Sequence, residues 1–388
     1  MTQRTGSGSA ADTSFERVWR VPDAQVVSGR IPGYVAAVRV GGQVGVRAGG
    51  RMAVEAESAP MGEDTLFRIA SVTKPMGGAL TLSLVQDGAL ALDDPIARWL
   101  PEAASPRVLV SPDAPLDRTT EVQLPITVRH LLTLTCGWGA VLDETPLQTA
   151  MMERGVYPGP LTPQMTADEF VARVADLPLA FQPGEGWLYD TGIDVLGVVL
   201  ARATGKPLSD LLAERITGPL GMASTGFWTP DVGRLATAYQ PGPGGLEVLD
   251  PPDGVFAGPP GFEELSSGLV STTPDVLRFY CAMADGGGPV LTADSVALMT
   301  ADALTDAQRR QALPIVGPGG SWGLATGVDV EAAEPWMAPG RWGWDGGTGT
   351  TAYVDPARGT IGVLLTQRAM TGPQDGFGDF WAAVAAAA

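Results

Sequence analysis

Apolar and polar positions follow two different periods along this chain. Residues 34–40 form an apolar run, Gly41-Gly42 follows, and residues 44–47 are again β-prone. Two such runs around a Gly-Gly pair predict a hairpin. A short strand-like segment, Leu-Phe-Arg-Ile-Ala at 66–70, runs directly into Ser71. Beyond Thr73 the spacing becomes helical. Leu80, Leu84 and Val85 share one face, Met76 and Gly77 lie a turn earlier, and Gly88 supplies a stop signal.

From about 90 to 310 the pattern is mostly helical, broken by Pro- and Gly-rich loops. Helices are expected over 127–134, 167–175 with Thr166 as N-cap, 194–204 closed by Gly205, 207–216 and 274–283. Residues 241–261, dense in Pro and Gly, read as a long irregular loop. The C-terminal part returns to β-prone runs at 321–328, 349–354 and 360–367, with Asp355-Pro356 and Gly359 as turn residues. The final Ala-Ala-Val-Ala-Ala-Ala-Ala reads as a helix end or tail. Strands at both ends with helices between them predict one antiparallel sheet, built from the two termini, with a helical region inserted. The expected division is a flexible leader over 1–12, a sheet domain from 13–70 with 320–388, and a mainly helical domain over 71–319. The active site would lie in the cleft between them.

Composition narrows the chemistry. The chain has 388 residues, of which 45% are hydrophobic, enough for a substantial core. It carries 25 basic and 43 acidic residues, a net charge of −18, with no basic cluster. That balance argues against nucleic acid or an anionic membrane as partner. No apolar run is long enough to cross a bilayer, and the polar N-terminus lacks the apolar stretch of a signal peptide, so the expected location is the cytoplasm. Cys136 and Cys281 are too few for a disulfide scaffold or a Cys-rich zinc site and read as small buried residues. One histidine, His130, excludes a His-rich metal site and reads as structural. No metal or organic cofactor is expected. There is no asparagine, hence no N-glycosylation acceptor and no Asn-dependent catalysis. Only two lysines occur, Lys74 and Lys206, among basic residues that are otherwise arginine.

One of those lysines stands in Ser71-Val72-Thr73-Lys74. Residues i and i+3 share a helix face, and Ser71 falls at the first turn, where the helix dipole favours negative charge. A serine hydroxyl needs a base to become a nucleophile. A lysine whose pKa is lowered by burial can serve, whereas an arginine stays protonated. Tyr189, in the loop Gly184–Gly192, could face this pair and carry a proton to a leaving group. The Gly-rich segment Trp342–Thr350 could bring backbone N–H groups to a ligand. One of them, with that of Ser71, would form an oxyanion hole.

Taken together these segments resemble the serine β-lactamase and penicillin-binding-protein superfamily, closest in pattern to class C β-lactamases and their family VIII carboxylesterase relatives. The resemblance covers most of the chain. It runs through Arg-Ile-Pro-Gly-Tyr-Val at 30–35, Leu-Phe-Arg-Ile-Ala-Ser-Val-Thr-Lys-Pro at 66–75, the segments from Gly88, Ile126, Pro183 and Ser266, Gly-Trp-Asp-Gly-Gly-Thr-Gly-Thr-Thr at 343–351, and the run from Ile361. The S-x-x-K spacing of Ser71 and Lys74 is shared with lactamases and penicillin-binding proteins, in which the serine is the nucleophile. The resemblance implies an antiparallel sheet flanked by helices, with a large helical insertion. It implies Ser71 as the acylated nucleophile, Lys74 as general base and Tyr189 as the second-motif tyrosine. Trp344-Asp345-Gly346 takes the place of the family's Lys-Thr-Gly triplet, and the Ser71 and Gly347 N–H groups would hold the oxyanion. Trp344, Asp345 and Gly346, with Trp138 and Trp187, are expected to line the substrate pocket. Two departures stand out. The second motif usually ends in Asn, which orients the lysine, and Tyr189-Asp190-Thr191 has none. The third motif has no Lys to engage a substrate carboxylate. Both favour cleavage of a small-molecule carboxylic ester through an acyl-enzyme. The alternatives are β-lactam or D-amino peptide hydrolysis, acyl transfer to an acceptor other than water, and a non-catalytic binding protein.

Overall fold

A computed structural model describes residues 10–372 and 375–388. At its centre lies a seven-stranded antiparallel sheet. Its order runs from β2 (Gln43–Gly50) to β1 (Gly33–Val40), then through Thr360–Thr366, Thr350–Asp355, Trp342–Gly346 and Gly327–Asp329 to Gly320–Trp322 at the far edge. The N-terminal hairpin joins the C-terminal strands through β1, with Ala36 opposite Leu364 and Val38 opposite Gly362. Gly41 and Gly42, at φ 54° and 83°, form the turn of that hairpin. Both central residues of such a turn need positive φ, which explains the Gly-Gly pair. The α/β class with a sheet assembled from both termini is therefore borne out.

Both faces of the sheet are covered, and the strand period of two sorts the side chains between them. Tyr34, Ala36, Val38 and Leu364 pack with Val18 and Trp19 of α1 (Ala10–Val27) and with Phe380 and Trp381 of the C-terminal helix Gly378–Ala385. Val35, Ala37, Val363 and Leu365 face the other way, into the main core with Val276 and Phe279 of the helix Thr273–Ala284. Residues 10–12, expected in a flexible leader, belong to α1, and residues 1–9 of that leader lie outside the described residues. The pattern of the sequence does not announce α1, because its apolar stripe is narrow and Pro22 lies inside it. The terminal Ala-rich run is the end of the C-terminal helix.

α2 (Thr73–Gln86) runs through the helical part and is buried on every side from Thr73 to Leu84, rather than on the single face its spacing suggests. Thr166 caps the helix Ala167–Ala175 as expected, in a capping box with Glu169. The helix expected from 194 begins earlier and spans Thr191–Thr204. That expected over 207–216 covers Leu208–Leu212 and continues as a wider π turn over Ala213–Thr217. The helix expected over 127–134 is shorter, Val128–Leu132.

Two further expectations are corrected. The run 321–328 is not one strand but a tight hairpin of Gly320–Trp322 and Gly327–Asp329. The backbone between them turns at Ala325, φ 62°, whose N–H donates to Leu132 O at 2.9 Å instead of extending the ladder. Residues 241–250 are not irregular. They belong to a two-stranded hairpin, Ala238–Gly242 with Gly245–Asp250. A two-stranded ribbon is all edge, so Pro241 costs it little. Among the described residues, no helix is long and apolar enough to cross a membrane.

This hairpin is tied to the strand that leads to Ser71. Arg68, in β3 (Phe67–Arg68), donates from Nε to Asp250 Oδ2 at 2.7 Å and from Nη2 to Pro251 O at 2.7 Å. Both side chains of the pair are almost wholly buried, 2% and 3% exposed. Removing one partner of such a pair strands the other charge, at a cost of about 3–5 kcal/mol. Asp250→Ala is therefore expected to lower the unfolding free energy by about that amount, measured by urea denaturation.

Candidate active site

The site begins with a strained turn. β3 pairs with Val270–Ser271 and leads into a 3₁₀ turn, Ala70–Val72, from which α2 continues. Ala70 sits at φ 43°, in the left-handed region, at a cost of about 1 kcal/mol for a residue with a Cβ. Its neighbours hold it there. Thr348 Oγ1 donates to Arg68 O at 2.6 Å, Thr350 Oγ1 donates to Ile69 O at 2.8 Å, and Ile69 N donates to Leu269 O at 2.9 Å. The turn thus presents Ser71 at the head of α2, only 8% exposed, on the wall of a cleft.

Lys74 follows one turn later and is fully buried. Its Nζ lies 2.9 Å from Ser71 Oγ, donates to Ser266 O at 3.1 Å and forms an ion pair with Asp190 Oδ1. Burial alone would favour the neutral amine. The charge of Asp190 foremost, with Tyr189 and Asp194, outweighs it, and the Lys74 pKa is raised. The expectation of a lysine pKa lowered by burial is therefore corrected: the sequence does not reveal that a carboxylate is folded against the amine. Asp190 itself adopts φ 84° and ψ −76°, a sparsely populated conformation that marks a constrained position. The next carboxyls outward are also buried. Desolvation, together with neighbouring carboxylates, pushes Asp194 well above the usual range and Glu264 up to about 7.

Tyr189 packs against the same amine, its ring centroid 4.5 Å from Lys74 Nζ. Its oxygen accepts a 2.6 Å hydrogen bond from Trp344 Nε1. Burial raises its pKa, so the resting side chain is a neutral phenol. Trp322 meets both rings edge-on, with centroids 6.0 Å from Tyr189 and 4.7 Å from Trp344.

The third segment contributes in three ways. Trp344, Asp345 and Gly347 line the cleft. Asp345 also accepts from Thr351 Oγ1 across the ladder, and burial pushes its carboxyl up to about 6. Gly346 does not line the cleft. A Cβ there would lie 2.4 Å from Ile69 O and 2.1 Å from Thr350 Oγ1, so this glycine lets the strand Trp342–Gly346 press against the Ser71 turn. Trp138 and Trp187, expected as substrate contacts, are 4% and 3% exposed and lie behind the wall. Trp187 packs with its ring centroid 6.0 Å from those of Tyr189 and Trp322, and Trp138 lines a separate minute void. They are corrected to core residues, because large aromatic rings can support a wall as well as form it. His130 lies outside the cleft: its Nδ1 accepts from Thr127 N at 3.2 Å in a capping box, and burial lowers its pKa. Sequence reasoning does not assign a role to Thr348, Thr350, Asp190 or Ser266. Of these, Asp190 alone carries a signal: it is an acid beside Tyr189 in a motif that lacks the Asn usually found to orient the lysine.

The cleft above Ser71 has a volume of 640 Å³. Tyr157, Pro160, Pro241, Leu249, Ile315 and Met370 give it apolar walls, and none of the described residues lining it is Lys, Arg or His. A buried hydroxyl against an amine, beneath an apolar cleft, suits attack on a neutral carbonyl. The profile of the beta-lactamase family matches residues 15–387. The chain belongs to the beta-lactamase family. Among relatives, it is 38% identical to Protein Rv1367c of Mycobacterium tuberculosis over 325 residues, 79% of each chain. It is 36% identical to Esterase EstB of Burkholderia gladioli over 371 residues, 89% of this chain and 88% of that one. Among solved structures of the family, EstCE1, described as a hydrolase with promiscuous acyltransferase activity, superimposes with a TM-score of 0.83 at 28% identity. That match covers 97% of this chain and 99% of the other.

Gly346→Ala tests how tightly the third segment of this family member must approach the Ser71 turn. The added methyl forces the strand or the Ser71 turn to move, and a displacement near 1 Å costs about 10²-fold in rate. The expected outcome is a kcat reduced by about that factor with KM little changed, measured by steady-state ester hydrolysis.

Proposed function

We propose that this protein is a serine hydrolase that cleaves neutral carboxylic esters through an acyl-enzyme on Ser71. The observation that carries this reading is the 2.9 Å approach of Ser71 Oγ to Lys74 Nζ at the wall of an apolar cleft. Ser71 Oγ attacks the ester carbonyl carbon, and Lys74 receives its proton. The developing oxyanion is held by the Ser71 and Gly347 N–H groups, both on residues that line the cleft. Tyr189, a neutral phenol at rest, protonates the departing alkoxide. Water then attacks the acyl-enzyme by the same route and releases the acid.

The cleft also supports the substrate class. Its charged lining residues, Asp190 and Asp345, are both acidic. No cation lines it to receive a substrate carboxylate, Asp190 is already paired with Lys74, and Asp345 would repel one. Esters are favoured over amides because an alkoxide leaves more readily than an amine. Esterase EstB, the named esterase among the relatives, supports the same reading. Transfer of the acyl group to an added alcohol is the second reading, supported by the description of EstCE1. In this proposal the cleft divides a sheet domain, 13–70 with 320–388, from a helical domain, 71–319. The cytoplasm is the proposed location, in keeping with the free thiols Cys136 and Cys281. Burial pushes the Cys136 thiol up to about 12, so it stays inert.

The test compares p-nitrophenyl esters with a chromogenic cephalosporin on wild type and Ser71→Ala. Ester turnover is expected to exceed cephalosporin turnover and to fall by about 10³-fold or more in the variant. Mass spectrometry after a slow ester should place one acyl group on Ser71, and an adduct on any other residue would overturn the proposal.

A further inference from the structure

Lys74 receives the proton of Ser71 in the reading above, yet the ion pair with Asp190 favours its ammonium form, which has no lone pair to offer. A proton must therefore leave Nζ as another arrives. The carboxylate it can leave to is in place. Ser71 Oγ, Lys74 Nζ and Asp190 Oδ1 form one unbroken hydrogen-bonded chain inside the protein. The third contact of Nζ is a backbone carbonyl, Ser266 O, which cannot take up a proton. Asp190 is held for this contact by its unusual backbone, and its second oxygen accepts from Ser266 Oγ at 3.4 Å.

The geometry points to Asp190 as the positioning residue of acyl transfer: acting through Lys74, it orients the amine and stores the proton that Ser71 releases. The inference rests on the acyl-enzyme reading. As Ser71 Oγ bonds to the carbonyl carbon, the carbonyl electron pair moves to oxygen. The Ser71 proton passes to Nζ, and one Nζ proton passes to Asp190 Oδ1. Lys74 stays an ammonium throughout, and Asp190 becomes a carboxylic acid. When the C–O bond breaks, the alkoxide takes the Tyr189 proton; in deacylation the tyrosinate takes a proton from the attacking water, and the proton stored on Asp190 returns through Lys74 to Ser71 Oγ as that oxygen leaves. No proton is exchanged with solvent during acylation, and the count balances. This replaces the missing Asn by a group that does more than orient the lysine.

Four titratable groups surround Lys74: Tyr189 and Asp190 from the loop before the helix Thr191–Thr204, Asp194 from that helix, and Glu264 from the segment before Val270. The Asp190 charge helps to raise the pKa of both Asp194 and Glu264, so Asp190→Asn moves their titration too, and Asp190→Glu, which keeps a carboxylate, is the control for that effect. Asp190→Asn keeps an oxygen for Nζ but cannot store the proton. The amine must then lose its extra proton to water before it can act, so the acylation rate gains a dependence on its ionisation.

The experiment is the single-turnover acylation rate with p-nitrophenyl acetate across pH, with the burst amplitude counting competent sites. The wild-type to Asp190→Asn rate ratio is expected to be about tenfold or more near pH ~6 and to fall steadily as the pH rises and the amine deprotonates. A ratio that stays constant across pH means Asp190 is merely structural and overturns the inference. Asp190→Glu retains an acceptor, and its profile should run parallel to wild type even if the rate is lower. A profile that rises with pH relative to wild type would also overturn it, and this variant decides the matter if Asp190→Asn does not fold. Failure of wild type to form any Ser71 adduct refutes the acyl-enzyme reading instead, so the two failures are distinct.

Discussion

The active site depends on one constraint: a lysine ammonium with no solvent exposure must be matched by a carboxylate in contact with it. A buried cation is tolerated only when it is paired and hydrogen-bonded. Lys74 meets that condition with Asp190, Ser266 O and Ser71 Oγ. Each partner comes from a different part of the chain, so satisfying the charge fixes three segments against one another. The requirement that keeps the amine tolerable in the core is the same one that aims it at Ser71 Oγ. Asp194 and Glu264, whose pKa values are raised by burial, add further acid groups around this pair.

A second set of constraints acts on the backbone. Ala70 and Asp190 both hold positive φ without being glycine; one directly precedes Ser71 and the other directly follows Tyr189. Such conformations persist where the surroundings over-determine them. Around Ala70 those surroundings are Thr348, Thr350 and the close approach allowed by Gly346. The aromatic group of Trp187, Tyr189, Trp322 and Trp344 does the corresponding work on the other side, and the Trp344 indole N–H fixes the phenol oxygen.

The parts of this molecule legible in its sequence are those with local causes. The Gly-Gly hairpin, the Thr166 cap and the Ser71–Lys74 spacing all follow from contacts within a few residues. The α/β sheet can be anticipated because strand patterns stand at both ends. What stays hidden is pairing at a distance. Nothing in the sequence says that Asp190 folds against Lys74, 116 residues away, and so the direction of the lysine pKa cannot be read from it. Trp138 and Trp187 resemble pocket residues because tryptophan suits a binding wall and a core equally well. The hairpin around 238–250 is obscured by prolines that only a ladder buried on both edges would forbid.

The threonine latch on the Ser71 turn has a consequence for how the protein comes into being. Thr348 reaches back across 280 residues to hold the carbonyl of Arg68. During synthesis, Ser71 and Lys74 leave the ribosome long before the strand that fixes their backbone. The emerging chain therefore carries Ser71 and Lys74 without the latch that sets the backbone before them, and that geometry is completed only with the last strands of the sheet. Formation of the Ser71 turn is thus coupled to completion of the fold.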